Sequence, residues 1–137
     1  MEHLGRHLIL EYWEATNLDN PELTERALTE AALAGGATLL SVRTHQFAPQ
    51  GVSGVAIIAE SHISIHTWPE YNYAAVDIFT CGDRVDPHKM DEVLSRYFRP
   101  KRKNITEMLR GLRMEDEVDE DVTADLPEMA AIEAGQL

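Results

Sequence analysis

Residues 52–81 read VSGVAIIAESHISIHTWPEYNYAAVDIFTC. Three extended segments follow one another here with only short breaks between them. Val52–Ala59 is almost continuously apolar and predicts a buried strand. Ser61–Thr67 stays extended, with Ile63 and Ile65 alternating against His62, Ser64 and His66, until Pro69 stops it. Ala74–Thr80 is a further apolar strand that ends at Cys81-Gly82. Strands joined by such short turns pair antiparallel, because a parallel partner needs a long crossover.

Outward from this run the chain alternates in type. His7–Trp13 is rich in branched and aromatic residues and predicts a first strand. Asn17–Pro21 is a turn, in which Asn20 suits an N-cap and Pro21 a first helical position. Glu22–Leu33 places Leu23, Ala27, Leu28 and Ala31 on one helical face, and Gly35-Gly36 ends it. Thr38–Phe47 predicts a second strand, followed by a turn at Ala48-Pro49-Gln50-Gly51. Asp86-Pro87 opens a second helix running to about Phe98, and a short last strand is expected over Asn104–Leu109. The order β-α-β-β-β-β-α-β predicts an α+β fold: a two-layer α/β sandwich with a mainly antiparallel sheet and both helices on one face.

Composition narrows the function classes. The formal charge is −12, yet all twelve Lys and Arg precede Met114, and nine acidic residues lie in Met114–Leu137. Residues 1–113 are therefore close to neutral and predict one folded domain, while 114–137 predict an acidic, disordered tail. This distribution argues against a nucleic-acid partner. No segment reaches the roughly 20 apolar residues of a membrane span, and the N-terminus lacks a signal-peptide pattern. The single cysteine, Cys81, excludes an intrachain disulfide and suits a reducing compartment, so a soluble cytoplasmic protein is expected.

The stretch Glu60–Glu70, ESHISIHTWPE, crowds hydroxyl, imidazole and carboxylate groups into a short extended segment. A metal pair of His62 and His66 is disfavoured, since four residues of strand span roughly 13 Å. No metal is expected. A hydrolase site built on Ser61 or Ser64 with a histidine and an aspartate is open from composition, though there is no Gly-x-Ser-x-Gly elbow. A wet strand face decorated with polar residues is the structural alternative. Cys81, at a strand end before glycine, suits either a small core residue or a thiol reaching a cleft.

A resemblance changes the weighting. Gly5-Arg6-His7, Phe47–Val55, Glu60–Glu70, Tyr73–Asp77 and Phe79–Gly82 are similar, in uninterrupted order, to the prokaryotic S-adenosylmethionine decarboxylase proenzymes. The resemblance implies self-cleavage between Glu60 and Ser61 into chains 1–60 and 61–137, with Ser61 converted to a covalent pyruvoyl cofactor. It implies help with processing from Ser53 and His66, His66 drawing the Cα proton of residue 61. A strained turn at 60–61 and hydrogen-bond donors on the Glu60 carbonyl are expected there. In the mature enzyme the pyruvoyl ketone would form a Schiff base with the substrate amine, and Cys81 would be the proton donor. Phe47, Trp68 and Glu70 would surround the substrate. A homodimer of processed protomers is implied, making decarboxylated S-adenosylmethionine for spermidine synthesis.

Two points pull the other way. An odd spacing of five would aim Ser61 and His66 at opposite faces of an unbroken strand, so a bend near Ser61 is expected. Thr44 stands where a larger aromatic residue is frequent in the family, and Asn72 where a glycine is. These departures keep a pyruvoyl-dependent ornithine or arginine decarboxylase as the alternative. A binding module that has lost processing is the non-enzymatic rival, and the joint presence of Ser61, His66 and Cys81 argues against it.

Overall fold

The computed structural model describes residues 3–112; the acidic segment expected to form a tail lies outside them. Six strands and two helices follow in the expected order: β1 Gly5–Trp13, α1 Pro21–Ala34, β2 Leu39–Gln46, β3 Val52–Ile58, β4 Ser61–Trp68, β5 Tyr73–Cys81, α2 Pro87–Phe98 and β6 Arg102–Arg110. The strands form one sheet in the order β2-β3-β4-β5-β1-β6, and every neighbouring pair is antiparallel. The last strand is longer than Asn104–Leu109, because it zips along the whole of β1 from Gly5↔Arg110 to Trp13↔Arg102. A short 3₁₀ turn, Pro69–Tyr71, begins at the proline that stops β4 and links it to β5.

The helices start where local chemistry satisfies their free N–H groups. The Asn20 side chain accepts from the Leu23 N–H at 3.0 Å, with Pro21 at the first helical position. Asp86 does the same for the N–H groups of His88 and Lys89. Both helices lie on one face of the sheet, α1 against β2, β3 and β4, and α2 against β5 and α1. Leu8, Leu10 and Tyr12 of β1, Ile63 and Ile65 of β4, and Val76 and Ile78 of β5 point into this layer and are buried. Leu28, Ala31, Met90 and Leu94 meet them from the helices.

One buried polar knot ties the layers together. The Tyr12 hydroxyl donates to Asp91 Oδ1 at 2.6 Å, and Lys103 Nζ reaches Asp91 Oδ2 at 2.9 Å. Burial and the Asp91 carboxylate push the Tyr12 hydroxyl far above its ordinary range. Strand β1, helix α2 and strand β6 are thereby fixed to one another.

The opposite face of the sheet has no helix over it among the described residues. By strand alternation it carries His45, Ser53, His62, Ser64, His66, Trp68, Tyr73, Asp77, Phe79, Cys81, His7 and Glu11. Ser53, His66, Trp68 and Cys81, four of the residues expected to carry chemistry, project from this uncovered face. Among the described residues no helix is long and apolar enough to cross a membrane.

Candidate active site

Ser61 sits at a tight corner. Ile58 pairs directly with Ser61, so Ala59-Glu60 is a two-residue hairpin loop. Such loops normally place positive φ inside the loop, usually at glycine or asparagine. Here neither Ala59 nor Glu60 has positive φ; Ser61 takes it instead, at 141°. A side chain at that φ is strained, and the strain falls on the first residue after the loop. This is the expected bend, confined to one residue. Ser61 thereby lines the groove on the uncovered face, although its place in the β4 alternation would otherwise turn it toward the helices.

The carbonyl preceding Ser61 is held. Cys81 N–H donates to the Glu60 oxygen at 2.9 Å. The exposed Cys81 thiol follows Thr80, the β5 partner of Ser61, and lies opposite Gly5 of β1. A Cβ at Gly5 would come within 2.6 Å of the Phe79 ring, so glycine leaves room for that ring beside β1. Glu60, Ser61 and Cys81 form one cluster at one end of the sheet.

His66 belongs to a second cluster. Ser53 is its cross-strand partner, and Ser53 Oγ lies 2.7 Å from His66 Nδ1. Both border a recess of about 350 Å³ with Phe47, Trp68 and Glu70, so these five expected residues come together. The loop bearing Phe47 is pinned by Asp19, whose Oδ1 accepts from Gly51 N–H at 2.8 Å and Gln46 Nε2 at 2.7 Å. Trp68 rests on Tyr73 with ring centroids 5.4 Å apart, and Tyr73 on Trp13 at 4.4 Å. The Tyr73 hydroxyl donates to Glu11, and desolvation together with that carboxylate pushes its pKa up to about 12. The tyrosine thus remains a neutral, fixed support under the indole.

The two clusters occupy different stretches of β4 within one chain, although Ser61, Ser53 and His66 all border one groove. β4 keeps continuous register from Ser61 to Trp68. Five residues of strand separate Ser61 from His66 by roughly 16 Å. Along the strand His66 therefore stands well apart from Ser61, at the other end of a groove that both line. A groove of about 650 Å³ runs between them, bordered by Arg43, His45, His62 and Ser64, with no carboxylate among its described lining residues.

Sequence reading missed several neighbours. Arg43 and His45 reach this groove only through the β2–β3 register, and His45 packs edge-on against Phe47 at 4.5 Å. Thr38 grips Glu60 from 22 positions away. Asp77, 2.9 Å from His7 Nε2, pairs with no nearby residue in sequence. Their partners are long-range, and spacing along the chain carries no trace of them.

The family departures have local reasons. Asn72 caps the 3₁₀ turn at φ 51°, a left-handed conformation that asparagine tolerates as a substitute for glycine. A Cβ at Gly54 would meet Thr44 Cγ2 at 3.4 Å beside Leu28 and Thr24, so the Thr44 methyl packs toward α1, while Thr44 also borders the groove of about 650 Å³ and not the recess at Phe47 and Trp68.

Comparison with known proteins bears on the family and the fold. Residues 6–111 match the family model described as S-adenosylmethionine decarboxylase. The chain is 48% identical over 122 residues to the S-adenosylmethionine decarboxylase proenzyme of Methanococcus maripaludis, covering 88% of this chain and all of that one. It is 51% identical over 113 residues to the proenzyme of the same name from Thermosipho melanesiensis, covering 81% and 87%. The crystal structure of the adenosylmethionine decarboxylase from Aquifex aeolicus superposes with a TM-score of 0.77 at 33% identity, covering 85% of this chain and 98% of that one.

Proposed function

This chain belongs to the S-adenosylmethionine decarboxylase family, and from that membership we propose that it cuts itself between Glu60 and Ser61 and then releases carbon dioxide from S-adenosylmethionine. The observation that carries the reading is the Ser61 corner: a serine at φ 141° after a two-residue loop, with an N–H already on the carbonyl it would attack.

Ser61 Oγ adds to the Glu60 carbonyl carbon. The C–N bond breaks, the hydroxyl proton passes to the nitrogen, and the peptide becomes an ester. The Cys81 N–H supports the oxygen on which negative charge develops. Loss of the Ser61 Cα proton then breaks the Cβ–Oγ bond and frees the Glu60 carboxylate. Water replaces the remaining nitrogen, which leaves as ammonia, so the second chain begins with a pyruvoyl group. That group supplies a ketone to hold the substrate amine and a neighbouring carbonyl to take up the electrons left by departing carbon dioxide. Cys81, exposed one residue beyond the partner of Ser61, gives the proton back to the substrate carbon.

The separation of the clusters supports a homodimer. Ser61 and Cys81 of one copy need Ser53 and His66, and both clusters lie on the uncovered sheet face. Two copies packed through that face in antiparallel sense would bring the processing pair of each onto the cleavage corner of the other. The recess beside His66 would then receive the nucleoside: Phe47 and Trp68 offer aromatic surface to adenine and the sulfonium, and Glu70 a carboxylate to the ribose hydroxyls. Residues 1–113 would form this domain and 114–137 an appended acidic segment. The lone thiol supports a cytoplasmic setting.

The relatives described above are named for S-adenosylmethionine, and nothing in them supports ornithine or arginine. Carbon dioxide release from S-adenosylmethionine by processed enzyme should exceed that from either amino acid, and Phe47→Ala should weaken S-adenosylmethionine binding by roughly 1–3 kcal/mol if a stacked base is lost. Faster release from ornithine or arginine would overturn the assignment.

A further inference from the structure

Thr38 stands just before β2 and holds both residues of the Ala59-Glu60 loop. Its carbonyl accepts from Ala59 N–H at 2.9 Å. Its own N–H donates to Glu60 Oε1 at 3.0 Å, and its hydroxyl lies 3.5 Å from Oε2. From the other side, Cys81 N–H holds the Glu60 carbonyl. Glu60 is thus fixed twice, by its side chain to the β2 edge and by its backbone to β5.

The consequence is conformational. A two-residue loop relaxes most easily by moving positive φ onto its own residues. For Glu60 to make that rotation, its carboxylate would have to leave Thr38 and its carbonyl would have to leave Cys81. With both contacts in place, the turn is completed at Ser61 instead. We propose that the Glu60 carboxylate, clasped by Thr38, is a positioning group for self-cleavage: it keeps the backbone strain on the Ser61 peptide that is to be broken. The clasp takes no part in bond making. It raises the starting state of the acyl shift, in which the Oγ–C bond forms, the C–N bond breaks and the hydroxyl proton moves to nitrogen. This inference rests on the reading that the chain processes at Ser61.

The test follows chain splitting in freshly synthesised protein by pulse labelling in a cell-free system and denaturing gels. Glu60→Ala removes both acceptor oxygens and should slow the first-order splitting about tenfold or more, the change that about 1.4 kcal/mol of barrier produces. Glu60→Gln keeps an acceptor for the Thr38 N–H and should restore most of the rate. A merely structural role would not show this rescue while thermal melts of the Ser61→Ala background, with and without Glu60→Gln, stay alike. Wild-type splitting with undiminished splitting of Glu60→Ala overturns the clasp alone, as does Glu60→Gln failing as badly as Glu60→Ala. A wild-type chain that never splits overturns both the clasp and the processing reading beneath it.

Discussion

Replacing Ser61 with glycine should stabilise the uncut chain relative to Ser61→Ala. Both variants lack the attacking hydroxyl, so both remain whole and differ only in how they tolerate the backbone. At φ 141° a residue with a Cβ is strained, and glycine is not. Holding a non-glycine residue in such a region costs on the order of 1–3 kcal/mol. Glycine also gives up more freedom on folding, about 0.5–1 kcal/mol compared with alanine. Taking the middle of each range, the net advantage of Ser61→Gly over Ser61→Ala is roughly 1 kcal/mol, which corresponds to a rise in Tm of about 4 °C for a domain of this size. Denaturant titration at matched protein concentration measures it, because an oligomer's midpoint moves with concentration. The m-values of the two variants should agree, so that the difference lies in stability. Equal midpoints, or a lower midpoint for Ser61→Gly, would refute the claim that Ser61 carries the strain of the corner.

Three further outcomes follow from the same geometry. Cys81→Ala keeps the backbone N–H on the Glu60 carbonyl, so it should still process, while decarboxylation falls about 10²–10⁴-fold; undiminished turnover in a carbon dioxide release assay removes Cys81 as the proton donor. Co-expression of Ser61→Ala with His66→Ala should restore roughly a quarter of wild-type activity, through mixed dimers that each hold one intact site; a wholly inactive mixture contradicts a site shared between copies. Arg6 first, and His88 second, hold the Glu107 carboxyl below the usual carboxylate range. Its depressed folded pKa means that its contribution is present above the unfolded pKa and is lost as pH falls through the folded one. Because the pair is partly exposed, that contribution is below about 1 kcal/mol; Glu107→Gln should flatten the stability profile in this acidic window, and an unchanged profile would dismiss the pair.

The fold was largely legible because its signals are local. Asn20-Pro21 and Asp86-Pro87 announce helix starts by satisfying nearby N–H groups, and the structure has both caps. The alternation of Ile63 and Ile65 with His62, Ser64 and His66 is the burial pattern of β4 itself. β6 was read short because its residues are exposed throughout, so no burial pattern marks its ends; pairing with β1 defines it instead. Family resemblance nominated the candidate residues, but their grouping into two clusters was not legible from it. Spacing places Ser61 and His66 five apart, and only the unbroken register of β4 turns that spacing into a distance. The bend was anticipated, yet its form, a single serine in a position suited to glycine, depends on the negative φ of Ala59 and Glu60 and on Thr38, which lies far away in sequence.

Intact-mass analysis of the purified wild-type protein tests the central claim most directly. The account predicts two chains, one ending at Glu60 and one beginning at residue 61. The second should be lighter than a serine-initiated chain by one ammonia and blocked to N-terminal sequencing. A single full-length chain, or a second chain beginning with an unmodified serine, would contradict it.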